Sequence, residues 1–451
     1  MSVSKRRKHI AILAAFGPEV RAFVHSGLAQ RLAQKYEVTV ITLRPQSRAF
    51  SRAGVPVVGM PNGTEGRLLA HVRYWVSKAH ESWLRAKGRQ KWRHYLTGVG
   101  GNAPRERRIY RLARYTPIMR ALTKYEHLCA KWLGTQIAWA RLFRELGTDC
   151  LVTSSFASGR ARPALQSAVN LGIATVVVTN SWKDAYATPY VHVLPTRIAV
   201  WSEGVARDIL AANPHLSSDR VVITGSLHLD PFLRLSRVVS RDEFCRSVGL
   251  DPNRSFVCYT AAAPSAVRNE EFVVEALAGA LKEAKSEAKT QILLRLNPME
   301  DGSRFRHLVE RFEDLVIQKP DWEWYPEQDW CCAMPGDVDS WVATVYHAAV
   351  NVSIPSTVTL EFASLNKPVV NVCFDLPDPL PPDVSNRRFW LADFYAEVRE
   401  AGLAIPAFSV EELIENVYSA LRSERKAPAL TSGGRLPVEA VIGVIEEAVG
   451  E

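Results

Sequence analysis

No apolar run in the 451 residues approaches the roughly 18 that a membrane-spanning helix needs. Cysteine is sparse and unpatterned. The seven (Cys129, Cys150, Cys245, Cys258, Cys331, Cys332 and Cys373) form no CxxC pair, and the adjacent Cys331-Cys332 is not a metal-ligand spacing. Zinc is therefore not indicated, and reduced thiols in a cytoplasmic protein are the simplest account. A GxGxxG fingerprint is missing from the first strand-turn-helix, so a dinucleotide is not indicated there. Disorder is excluded by 47% apolar and 23% charged content, and the length allows two or three domains. The basic start and short apolar run of MSVSKRRKHIAILAAFG, followed by Gly-Pro, suit a first strand better than a signal peptide.

What the chain does have is positive charge, unevenly placed. Fifteen Lys/Arg stand against Glu81 and Glu106 between Arg67 and Lys124, a local +13 in a chain of net +9, so the remainder is slightly acidic. Tyr74, Trp75, Trp83, Trp92, Tyr95, Tyr110, Tyr115 and Trp132 are interleaved with these charges or follow them. Basic residues with Trp and Tyr on helical segments suit contact with an anionic inner-leaflet surface. They would also suit nucleic acid, but no nucleic-acid-binding motif accompanies them, so no nucleic-acid partner is expected. A solvated basic face with its aromatics packed inward is the plainer alternative.

In chain order, strands are expected over 10–15, 37–43 and 55–59, with a helix over 19–34 carrying Val20, Phe23, Val24, Leu28 and Leu32. A basic helical insertion runs from about 66 to 146. Strand-helix alternation then resumes at 149–153, 160–170, 174–179, 197–201 and 203–212. At the turn after the first strand, Glu19 or His25 is a candidate base, because carboxyl ends of parallel strands border ligand clefts. Glu19 is also an ordinary first-turn acid complementing a helix dipole.

The stretch Tyr346–Phe374 reads as a strand-helix-strand unit: apolar Ala348–Ile354, then Pro355-Ser356-Thr357, helix Val358–Leu365, a turn at Asn366-Lys367-Pro368, and strand Val369–Val372. Ser356 and Thr357 fall at the expected N-cap and first turn, where free amides and the helix dipole receive phosphate. Glu361 is placed to reach a ribose hydroxyl one turn on. Further strands are expected over 255–261 and 291–295, with a helix over 269–286 between them. The Trp-rich stretch 321–330 would suit the lining of a nucleobase slot, and aromatic packing at a domain surface is the plainer expectation.

Three segments carry a resemblance. They are Ser181-Trp182-Lys183-Asp184, the strand ending Val200-Trp201, and Asp219-Arg220-Val221-Val222-Ile223-Thr224-Gly225-Ser226 with Asp230-Pro231-Phe232. The chain resembles the GT-B superfamily of nucleotide-sugar glycosyltransferases, nearest to the branch of surface-polysaccharide transferases and CDP-glycerol glycerophosphotransferase relatives. The Ser356-Thr357…Glu361 pattern is similar to that superfamily's donor-binding segment. Where the family carries R-x-H-P, this chain has Arg295-Leu296-Asn297-Pro298, so Arg295 stays a candidate phosphate partner and no role carried by that His transfers.

The resemblance implies an α/β, GT-B-like fold: two Rossmann-like domains facing across a cleft, a helical basic insertion in the first, and a C-terminal helix packing back. Residues 1–228 would form the acceptor domain, 229–430 the nucleotide-sugar donor domain and 431–451 the closing helix. The implied activity is a glycosyltransferase extending a lipid-linked or cell-surface glycan in polysaccharide biosynthesis, peripheral at the cytoplasmic face of the inner membrane. Donor binding would fall to Arg295, Asn297, Ser356, Thr357, Glu361 and Ser226. A helix N-terminus plus Arg295 would stabilise the leaving phosphate without a metal or other cofactor. Glu19, Asp184 and His228 are candidates for the general base of an inverting reaction, and a retaining one would need none. Polyol-phosphate transfer, nucleotide-sugar 2-epimerisation and non-catalytic nucleotide binding are the other readings.

Overall fold

The computed structural model describes residues 6–87, 114–154, 159–187, 189–235, 238–283, 290–382, 384–422 and 435–451. Much of the basic insertion, 88–113 with Trp92, Tyr95 and Tyr110, lies outside the described residues. The chain divides into two compact units. The first holds residues 1–230, Trp324–Cys332 and Ser432–Glu451; the second holds Pro231–Glu323 and Ala333–Thr431.

The first unit is built on seven strands: β1 (His9–Ala14), β2 (Glu37–Thr42), β3 (Val57–Gly59), β4 (Thr148–Thr153), β5 (Ala174–Val178), β6 (Arg197–Val200) and β7 (Val221–Ile223). They pair in the order β3-β2-β1-β4-β5-β6-β7, all parallel. β1 is buried along its whole length, as a parallel strand covered on both faces must be. Chain order reverses between β1 and β4, which makes that pair the switch point of the sheet.

The long helix expected over 19–34 is broken. An α-turn Gly17–Val20 passes into a π-turn Arg21–His25, and Gly27, at φ +88°, ends it before a short helix Leu28–Leu32. A left-handed residue cannot continue a right-handed helix, and glycine adopts it without a Cβ penalty. Residues Pro437–Ala448 form the closing helix, which packs on this unit. The Val438 amide donates to Asp230 Oδ1 at 3.1 Å, and Arg31 pairs with Glu439 at 2.7 Å and Lys35 with Glu446 at 2.9 Å.

The second unit carries β8 (Phe256–Thr260), β9 (Gln291–Arg295), β10 (Leu315–Gln318), β13 (Val350–Ser353), β14 (Val369–Val372) and β15 (Ile405–Ala407). Between β10 and β13 the chain forms a hairpin, β11 (Trp322–Tyr325) and β12 (Trp330–Ala333), most of which, Trp324–Cys332, belongs to the first unit. The sheet order is β10-β9-β8-β13-β14-β15, again parallel, with its reversal between β8 and β13. The Trp-rich stretch is thus a separate two-stranded hairpin, whose W-x-W alternation is a strand period. Val257, Tyr259, Val352, Val370 and Leu413 lie in one continuous core.

The helices of the insertion are Arg67–Ala86, Thr116–Leu133 and Ile137–Glu145. Val76, Ala79, Trp83 and Met119 form a small core with Tyr190. Trp83, expected among the aromatics of a basic surface, faces inward and stacks on His80, with ring centroids 5.7 Å apart. Beneath it Arg73, fully buried, is paired with Glu65 and, at 3.1 Å, with Glu126, whose Oε1 also meets His192 Nδ1 at 2.7 Å. No described helix is long and apolar enough to cross a membrane.

Candidate functional site

Glu19, Asp184, His228 and Ser226 all belong to the first unit, at or just beyond the carboxyl ends of β1, β5 and β7. Glu19 sits in the turn after β1, where its Oε2 accepts the Phe16 amide at 2.9 Å. Across the switch point, the Ser154 hydroxyl at the end of β4 donates to its Oε1 at 2.5 Å. Burial pushes the Glu19 carboxyl up to about 7 against these hydrogen bonds, with a smaller upward push from Asp184. Asp184, partly exposed, caps its own turn by accepting the Asn180 amide at 2.9 Å and the Ser181 amide at 3.2 Å. Desolvation lifts it to about 7 as well.

His228 follows β7. Burial, aided by the Arg21 charge, pushes its imidazole down to about 3, so the ring is neutral. Its Nε2 lies 2.8 Å from Asn180 Oδ1, which as acceptor assigns the proton to Nε2 and leaves Nδ1 its lone pair. The Trp201 ring stands edge-on to it at 6.0 Å. Ser226 does not join the other donor-binding candidates; it is buried and accepts the His228 amide at 3.2 Å. Asn180 and Ser154 were not singled out from sequence. Asn180 immediately precedes the Ser181–Asp184 segment that carries the resemblance, but its double role needs β5 and β7 to be brought together. His25, the other candidate base, is 3.0 Å from the Ala49 carbonyl.

Trp324–Cys332, which groups with this unit, reaches the Glu19 turn. A Cβ on Gly17 would stand 1.4 Å from the Cys331 carbonyl oxygen. Arg160 donates to the Asp329 carbonyl at 3.2 Å, and the Arg44 guanidinium lies over the Tyr325 ring at 4.0 Å.

The remaining candidates are in the second unit. Ser356 and Thr357 follow β13 at the switch point beside β8. Thr357 is the N-cap of helix Val358–Ser364, but it lies in the right-handed helical region and its hydroxyl does not cap the helix, contrary to the expected hydroxyl cap. Helix position is fixed from behind: Thr359 Oγ1 is 2.7 Å from the Tyr395 hydroxyl, which donates to Asn371 Oδ1 at 2.5 Å. Glu361 is buried and accepts the Trp341 indole N–H at 2.7 Å, so one of its oxygens is spent inside the unit.

Arg295 is buried too. Its Nη2 donates to both oxygens of Asp337, at 2.7 and 2.8 Å, and Asp337 also accepts the Asp321 amide and the Trp322 indole N–H, each at 2.9 Å. The pair lines a cavity of about 410 Å³ together with Ser247, Gln318, Lys319 and Ser340. Asn297 Oδ1 accepts the Met299 amide at 3.0 Å, closing its own turn. The sequence holds one Asp-x-Asp triplet, Asp337-Val338-Asp339, and its first carboxylate is engaged by Arg295, the Asp321 amide and the Trp322 indole. No three His, Cys, Asp or Glu side chains converge as metal ligands among the described residues.

No family model and no curated protein matches the chain. Solved structures do. The UDP-GlcNAc 2-epimerase of Neisseria meningitidis bound to UDP-GlcNAc is 12% identical, with 98% of this chain and 100% of that one aligned at a TM-score of 0.59. The UDP-GlcNAc 2-epimerase of Methanocaldococcus jannaschii is 12% identical over 97% and 99% of the two chains, at 0.57. S. aureus MnaA in complex with UDP is 11% identical over 97% and 96%, at 0.56. The fold is GT-B-like. Two parallel-sheet α/β units, of seven and six strands, carry it. The CDP-glycerol branch of the resemblance finds no counterpart among these structures.

Proposed function

We propose that the chain is an enzyme acting on a nucleotide sugar, with 2-epimerisation of the nucleotide sugar itself as the first reading. The observation that carries it is the likeness over nearly the whole chain to structures solved as UDP-GlcNAc 2-epimerases, one of them holding UDP-GlcNAc, and to S. aureus MnaA solved with UDP. Chemistry at the carboxyl edge of the first sheet supports the same reading. Inverting C2 takes its proton from one face as the C2–H electron pair expels UDP from C1, and returns a proton to the other face as the C1–oxygen bond to UDP re-forms, which calls for two groups that exchange protons near neutrality. Glu19 and Asp184, both lifted to about 7, have that property. Asp184, the more exposed, would meet the sugar. Neutral His228, its Nε2–H already donated to Asn180, would accept a hydrogen bond from a sugar hydroxyl at Nδ1. For the donor phosphates, Ser356 and Thr357 are the proposed contacts, since neither hydroxyl makes a hydrogen bond within the described residues.

A second reading is glycosyl transfer from the same class of donor to a lipid-linked or cell-surface glycan, with Glu19, Asp184 or His228 as base. It is favoured by the Ser-Trp-Lys-Asp and Thr-Gly-Ser segments and by the cationic insertion, which an enzyme on a small dissolved substrate has no use for. The test is incubation of the whole chain with UDP-GlcNAc alone in D2O, followed by proton NMR. The first reading expects a second, C2-inverted nucleotide sugar carrying deuterium at C2. Binding seen as a thermal shift without any turnover, then release of nucleotide when glycan acceptor is added, would favour transfer. If no UDP, CDP, GDP or CMP sugar raises the unfolding temperature, both readings fall.

A further inference from the structure

The Thr116–Leu133 helix presents apolar residues outward as well as inward. Its inward stripe is Met119, Thr123, Glu126 and Ala130, all buried, with Glu126 held by Arg73 and His192. The stripe displaced by two residues, Ala121, Tyr125, Leu128 and Trp132, sits about 200° round the helix and so on the opposite face. Tyr125 and Leu128 are each 57% exposed and Trp132 78%. Ile137, the first residue of the next helix, is 79% exposed. A carboxylate is thus buried while tyrosine, leucine and tryptophan face outward, the reverse of what burial of apolar surface favours in a helix that meets only water.

The charge beside this stripe is of one sign. Arg120, Lys124 and Lys131 each precede an outward residue by one position, which places them along a single flank, and Arg141 and Arg144 continue outward on the next helix. All five are exposed, none is ion-paired among the described residues, and Glu145 is the one exposed acid among them. Residues 88–113, between the first two helices of the insertion, add seven arginines and lysines against Glu106 in the sequence alone.

We propose that the Tyr125–Ile137 face docks on an anionic lipid bilayer, with Leu128, Trp132 and Ile137 entering the headgroup–acyl boundary and Arg120, Lys124 and Lys131 meeting lipid phosphates. Tryptophan and tyrosine favour that boundary, and lysine and arginine lay their aliphatic stems along it while the charge stays with the headgroups. Each cation near such a surface adds to the attraction, within a Debye length. A second copy of the chain fits less well, because a two-fold pairing through this stripe would bring the same cationic flanks together. Single-stranded nucleic acid fits less well because only Tyr125 and Trp132 of this face carry rings, while Leu128, Leu133 and Ile137 offer none on which a base can stack. The surface is independent of which reaction the carboxyl-edge site performs.

Flotation of the full chain with phosphatidylcholine vesicles, with and without about 30% phosphatidylglycerol, tests the proposal. The expected result is binding to the anionic vesicles, weakened by salt and reduced about tenfold or more both by Trp132→Ser with Ile137→Ser and by Lys124→Glu with Lys131→Glu. The two double variants share no residue, all four positions are exposed, and unchanged thermal unfolding confirms that each is folded. Absence of vesicle binding, or binding that survives the apolar pair, overturns the proposal. So does a dimer that the apolar pair dissociates in light scattering, or a single-stranded oligonucleotide that binds more tightly than the vesicles.

Discussion

Ser154 donates its hydroxyl to Glu19 Oε1 at 2.5 Å, across the two strands between which the first sheet reverses. The carboxyl it meets is lifted to about 7 from an ordinary 4.5, chiefly by burial. Between those two pH values the folded chain holds a proton that the unfolded chain has released, so stability falls as pH rises through that window. The full shift corresponds to roughly 3 kcal/mol. Asp184 titrates in the same direction, so the wild-type protein should lose stability on both accounts between pH 5 and 8. Glu19→Gln, whose oxygen can still accept the Phe16 amide while its NH2 donates to the Ser154 oxygen, is expected to remove Glu19's share and to unfold at higher urea concentration than wild type at pH 8. The same variant should lose turnover in the UDP-GlcNAc assay. Equal pH slopes for the two proteins would sink this account of Glu19.

Arg73 offers a test of the insertion. Its guanidinium is shared between Glu65, Glu126 and Gln166 inside the unit. Burial works against the Glu126 carboxylate, but His192 and Arg73 hold it below the ordinary range. Removing one partner of a buried ion pair leaves a bare charge, at a cost of about 3–5 kcal/mol. Arg73→Met is expected to lose that much in urea unfolding at pH 7, and adding Glu126→Gln should recover part of it. A single variant no less stable than wild type would show that the carboxylates have other partners.

Fold class was legible because parallel strands covered on both faces are written as unbroken apolar runs. Val369–Val372, bracketed by Lys367-Pro368 and Cys373-Phe374, lies where the sequence puts it. The Glu19 region was legible in type and wrong in detail, since the apolar spacing of Val20, Phe23, Leu28 and Leu32 runs straight through Gly27 and only its left-handed backbone stops the helix. Trp322–Trp330 was missed as a hairpin because aromatics outweighed the period-two signal. In the site, Glu19, Asp184 and His228 could be picked by position at strand ends. Their proton affinities could not, being set by burial and by Asn180, Ser154 and Arg21 from other strands. Arg295 shows the limit most clearly, because its partner Asp337 is 42 residues away and nothing local announces it.

Gly17 makes a contact that no other residue could. Its position lacks room for even one carbon, the Cys331 carbonyl oxygen being 1.4 Å from where a Cβ would stand, and Cys332 Sγ donates to the Gly17 carbonyl at 3.5 Å. Gly17→Ala is expected to cost about 1–3 kcal/mol or more through overpacking, and to expose Trp324–Cys332 to limited proteolysis. Gly279, within helix Glu270–Glu283, has nothing within 4 Å of its Cβ position. There the same substitution should stabilise by about 0.5–1 kcal/mol, since alanine is the better helix former. Thermal unfolding of the two variants side by side checks both signs.

The two roles open to Arg295 separate cleanly in a paired measurement. Its guanidinium is engaged by both Asp337 oxygens, while Ser356 has a hydroxyl with no partner within the described residues. A lysine cannot reproduce a guanidinium held against the two oxygens of one carboxylate. Arg295→Lys is therefore expected to lower unfolding stability by about 1–3 kcal/mol, as loss of a buried charge-assisted contact does, while leaving the UDP affinity of the folded protein within about twofold of wild type. Ser356→Ala should do the reverse: little change in unfolding and about a tenfold loss of UDP affinity, the equivalent of one hydrogen bond to a charged group. Calorimetric titration with UDP beside urea unfolding of each variant reads both quantities. Should Arg295→Lys weaken UDP binding at unchanged stability, the arginine, not the serine, holds the donor phosphate.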